Sequence, residues 1–120
     1  MLREAVAPEA PPAESMKRFL PPLKIVWPAM YDMRYARGRF GVENPDSLTH
    51  CWIADTPARP LDYASLTAIC DAFFPRIFLR RPSFAPIATV SLNVYFHADA
   101  GELAQQGSAP VLCEIGRAHV

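Results

Sequence analysis

Residues 61–97 read LDYASLTAICDAFFPRIFLRRPSFAPIATVSLNVYFH. Asp62 can accept from the free N–H groups of a first helical turn, which predicts a helix starting at Tyr63. Leu61 stands just before it, where an apolar side chain can fold back onto the turn. Pro75 has no place in a helix interior and biases Phe74 away from helical geometry, so the helix is expected to stop near Phe74. Within it Leu66, Ile69, Cys70 and Phe73 fall at helical spacing. The segment is apolar nearly all round, which predicts an enclosed helix. Asp71 is the exception. It either lies solvated on the last turn, where its charge opposes the helix dipole, or sits buried with partners and a chemical task.

Residues 87–97 alternate. Ile87, Thr89, Ser91, Asn93, Tyr95 and His97 fall on one side, and Ala88, Val90, Leu92, Val94 and Phe96 on the other. This is the clearest strand pattern in the sequence.

An apolar helix ending in Asp, a Pro-containing linker and the strand ATVSLNVYFH together resemble the acyl-CoA thioesterase II (TesB-like) hotdog family. The resemblance covers about residues 19–113 and is most specific at 61–71 and 88–97. It implies an α+β hotdog fold, an antiparallel sheet wrapped around one central helix, here the C-terminal half of a double hotdog and incomplete at its own C-terminus. The family's catalytic set is an Asp on the helix, a Thr or Ser on the next strand and a Gln on a later strand. Asp71 matches the first and Thr89 the second. The Gln has no counterpart, because Gln105 and Gln106 fall too early, in an expected polar loop. The implied activity is hydrolysis of acyl-CoA through a water positioned by Asp71 and Thr89. The 120 residues alone are expected to be inactive. The implied partners are acyl-CoA and a second hotdog domain or another copy; no substrate-binding residue is assigned. The alternative is a non-catalytic acyl-binding or scaffolding half. An acyl dehydratase ranks last, because residues 63–74 hold no His.

At 120 residues the chain makes at most one domain. An apolar content of 51% and a mean hydropathy of +0.05 suffice for a core. Twelve acidic residues balance twelve basic ones, so charge gives no case for nucleic acid or an anionic membrane. No apolar run reaches 18 residues, and the N-terminus lacks a signal-peptide core. Cys51, Cys70 and Cys113 match no zinc spacing and read as reduced structural thiols of a cytoplasmic protein. Five scattered glycines form no phosphate loop, and no cofactor or metal is expected.

Residues 1–18 are rich in Ala, Pro and Glu and read as disordered or as an interdomain linker, with Met1 an internal start in a longer frame. Ser15 caps an expected turn over 16–20, and Pro21, Pro22 and Pro28 keep the chain extended. Residues 30–35 read as a strand with Tyr31, Met33 and Tyr35 facing the helix and Asp32 and Arg34 paired on the other side. Residues 48–54 read as a second, central strand, in which His50 is taken as structural. Arg37-Gly38-Arg39 reads as a turn with solvated charge, and so does the edge containing Arg76, Arg80 and Arg81, unless the latter meets nucleotide phosphates. Residues 109–113 begin a further strand. Residues 114–120, EIGRAHV, resemble a translated sequencing-library adapter and are expected to be a non-native tail.

Overall fold

The structure is a computed structural model that describes residues 6–20, 26–38, 43–72 and 87–116. Pro21, Pro22, Arg39, residues 73–86 with their arginines, and residues 117–120 lie outside the described residues.

Three strands form one antiparallel sheet in the order β1 (Tyr31–Arg37), β2 (Thr49–Asp55), β3 (Val111–Ile115). β2 is central, as its two-sided pattern predicts. The register sets Tyr31 opposite Asp55, Met33 opposite Ile53 and Cys51 opposite Cys113. One face of this sheet is the core. Met33, Cys51 and Ile53 are completely buried, and they pack with Leu61, Ile69 and Leu103. Tyr31 and Tyr35 pack against that cluster, so the expected helix-facing set of β1 is correct.

On the outer face Arg34 makes a two-pronged pair with Asp32, at 3.0 and 3.1 Å. The same guanidinium donates to the carbonyls of Ala13 and Met16. Trp52 donates to the carbonyl of Pro11 at 2.8 Å, and Phe19 bridges to Met33. Residues 11–19 are therefore strapped across the sheet rather than free. From Pro11 onward the residues expected to be disorder or linker are packed against the sheet. The order comes from sheet donors that reach their carbonyls, from Arg18 donating to the carbonyls of Ala29 and Tyr31, and from Phe19 packing against Tyr35. The expected turn over 16–20 falls instead on a single helical turn at Ala13–Ser15. Pro28 lies within another such turn, Trp27–Met30, rather than in extended chain.

The helix α1 spans Tyr63–Asp71 on the inner face. Asp62 caps it, accepting from the Ser65 N–H at 2.7 Å. Leu61, at the staple position, is buried, and its N–H donates to the carbonyl of Gly107. Ser65 donates to Asp55, tying the first turn to the end of β2. α1 is shorter than expected: regular structure ends at Asp71, with Ala72 as cap. It is also less enclosed than its composition suggests, since only Ser65 and Ile69 within it are buried.

Two further expectations need correction. Residues 87–97 form no strand with the described residues, to which they make no ladder hydrogen bonds, and they are mostly exposed. No strand among the described residues lies beside them to complete a ladder. Residues 98–106 are not a loop but contain the helix α2, Ala100–Gln106. Asp99 accepts from Glu102 N–H while the Glu102 carboxylate accepts from Asp99 N–H, a reciprocal cap that the D-A-G-E spacing encodes. Finally, β3 runs through Glu114 and Ile115, two residues past the boundary expected at Cys113.

Candidate active site

Asp71 closes the last turn of α1, and its side chain is exposed. Of the two readings left open for it, solvation is what the fold realises. Exposure does not leave it on a featureless surface. Asp71 lines a half-open cleft of about 690 Å³ together with Trp27, Tyr31, Ala68, Ala72, Ile87, Ala88 and Thr89. The two candidate residues thus come from separate elements, α1 and the segment after the linker, and meet at one cavity. Among the described residues no hydrogen bond joins the two side chains.

The cleft is mostly apolar, with few polar groups converging on it, the composition of a binding site. β1 contributes Tyr31 to its lining. Tyr31 is the first residue of that strand, and its ring lies edge-on to Trp27 at a centroid distance of 6.4 Å. Burial, above all, raises the Tyr31 pKa; the negative charges of Asp55 and Asp71 raise it further. The phenol is therefore held protonated beside the two carboxylates.

The other candidates lie elsewhere. Gln105 and Gln106 are on α2, where Gln106 donates to the carbonyl of Pro110 at 3.0 Å. Neither lines the cleft, and they sit on a helix and not in the expected loop. His50 points to the outer face and contacts Glu114 of β3 at 2.7 Å, a cross-strand pair. His97 borders a separate depression with Tyr63, Phe96 and Glu102. Among the described residues no group of His, Cys, Asp or Glu is arranged to hold a metal ion.

Comparison with known proteins decides the family. The model of the acyl-CoA thioesterase C-terminal domain matches residues 4–115. The chain belongs to this thioesterase family. A crystal structure from Alicyclobacillus acidocaldarius, described as a conserved protein of unknown function with a hotdog fold, superposes with a TM-score of 0.89 at 38% sequence identity. The likeness covers 99% of this chain and 46% of that one, so the chain spans under half of its structural relative. The fold is thus a hotdog, as the resemblance implied. No curated protein matches.

In the thioesterase domain, sequence reasoning missed Trp27 and Tyr31 as cleft residues. The signal was partial: alternation placed Tyr31 on the helix side of β1 but said nothing of which helical turn it would meet.

Proposed function

We propose that this domain forms part of an acyl-CoA thioesterase that hydrolyses acyl-CoA to the free acid and CoA, with Asp71 and Thr89 positioning the attacking water. The observation that carries this reading is the convergence of Asp71 and Thr89 on one cleft within a thioesterase-family hotdog. Thr89 hydrogen-bonds the water, and the Asp71 carboxylate takes its proton as general base. The water oxygen bonds to the thioester carbonyl carbon. The tetrahedral intermediate then breaks its C–S bond, and the departing sulfur recovers the proton as the CoA thiol. The apolar wall of Ala68, Ala72, Ile87 and Ala88 suits the acyl portion.

The intact protein is tested with decanoyl-CoA, following released CoA thiol. Asp71→Asn is expected to lower kcat by about 100-fold or more, the usual scale for a general base. Equal turnover in the variant and the parent would refute the reading.

A second reading is a non-catalytic acyl-binding half. The observation favouring it is that neither Gln105 nor Gln106 lines the cleft. Binding of decanoyl-CoA with no thiol release by the intact parent protein would select it. For partners we propose a second hotdog unit or another copy, against the exposed apolar side chains of residues 87–96. No helix among the described residues is long and apolar enough to cross a membrane. The three free thiols support a cytoplasmic setting.

A further inference from the structure

We infer that Tyr31 supplies the side-chain hydrogen bond to the thioester carbonyl oxygen in the cleft, an assignment that rests on the thioesterase reading above. Among the cleft residues Ala68, Ala72, Ile87 and Ala88 offer no polar side chain, and the side-chain donors besides Thr89 are the Trp27 indole N–H and the Tyr31 hydroxyl, of which only the hydroxyl belongs to a ring packed against the core cluster. Asp71, once ionised, only accepts, and Thr89 is assigned to the water. Attack on the carbonyl builds negative charge on its oxygen, and a carboxylate nearby makes that charge harder to bear. A donor fixed before the reaction is what such a site requires.

Tyr31 meets the requirement in three ways. Its ring is held by the core cluster on one side and by Trp27 on another, so the hydroxyl has little freedom. The hydroxyl makes no hydrogen bond with the described residues, whereas the neighbouring carboxylate of Asp55 is already engaged by Ser65. Its O–H is therefore available to a molecule in the cleft. Burial and the two carboxylates also keep the proton on the phenol, so Tyr31 donates without acting as a base. It keeps its proton through the whole turnover.

Tyr31→Phe retains the ring and removes only the donor. In the intact protein it is expected to lower kcat for decanoyl-CoA by about 100-fold, the scale for one oxyanion donor. KM should change little, because the bond strengthens mainly as charge develops. A structural role would not move the infrared carbonyl band of decanoyl-CoA bound to the Asp71→Asn protein. That band should lie at lower frequency than in water and return toward the free value when Tyr31→Phe is added. A third measurement leaves Tyr31 in place: tyrosine ring-carbon NMR should show its pKa falling in Asp71→Asn, since a negative charge has gone. An unchanged kcat and carbonyl band in Tyr31→Phe, with turnover still abolished by Asp71→Asn, would overturn Tyr31 and leave the thioesterase reading standing. An unchanged Tyr31 pKa would also overturn it. Full turnover in Asp71→Asn would bring down the reading itself and Tyr31 with it.

Discussion

In β2 the alternate side chains Thr49, Cys51 and Ile53 are sealed, all at 0% exposure. In residues 87–96 the alternate apolar side chains stand open, with Val90 at 99% and Leu92 at 50%. The difference lies in neighbours. β2 has β1 on one side, β3 on the other and α1 over its inner face. Residues 87–96 have no strand paired to them among the described residues. A period-two pattern specifies which side chains share a face, but burial follows only when another element supplies the opposing surface.

The largest expected effect breaks the sealed side of this contrast. Ile53→Ala should destabilise the domain by about 2–5 kcal/mol, read from denaturant unfolding, because the completely buried side chain leaves a cavity between β2 and α1. A much smaller loss would mean that the inner face collapses around the gap.

Alkaline unfolding sharpens the same contrast at β3. Burial, with a smaller contribution from Cys70, pushes the Cys113 thiol up to about 12 from an ordinary 9.0. Its folded-state pKa is raised, so its contribution is fully present below about pH 9 and is lost as pH rises toward 12. Stability measured across that interval should fall, and Cys113→Ala should flatten the fall. The same fall in both proteins would mean that burial does not hold the proton on the half-buried Cys113 thiol.

The cap of α1 gives a smaller, opposite dependence. The Ser65 N–H, followed by the Arg59 charge, holds the Asp62 carboxyl below its usual value of 3.8. Its contribution is present above that value and is lost as pH falls through the lowered one. Asp62→Asn keeps a capping oxygen and should weaken the acid dependence while lowering the melting temperature only slightly.

The smallest effect lies on the open side. Val90→Ser should change the stability of this domain by no more than about 0.5 kcal/mol, as for other surface positions. If another hotdog unit covers residues 87–96, Val90→Asp should instead weaken association in sedimentation. An unchanged association state would place the partner elsewhere.

Much of the architecture was legible because it is local. The alternation of β1 and β2, the Asp62 cap and the Asp32–Arg34 pair each depend on residues within a few positions of one another. α2 was legible as well, in Asp99-Ala-Gly-Glu102, but its single buried apolar residue, Leu103, left little periodicity to accompany the cap. The site was only partly legible. Asp71 and Thr89 could be named through family resemblance, while Tyr31 needed tertiary placement, since it lies 40 positions before Asp71 in sequence. The strap of residues 11–19 was hidden for a similar reason: its hold depends on distant partners, Arg34 and Trp52 reaching its carbonyls and Tyr35 meeting Phe19.

That strap also fixes the direction from which the chain arrives. Pro11 is anchored to Trp52 on the outer face, whereas the cleft lies on the helix side, and Val6 is almost fully exposed. A tether or fluorophore attached at Val6 would hold the domain by its back. Immobilised that way on a sensor chip, the domain would present the Asp71–Thr89 cleft to the passing solution.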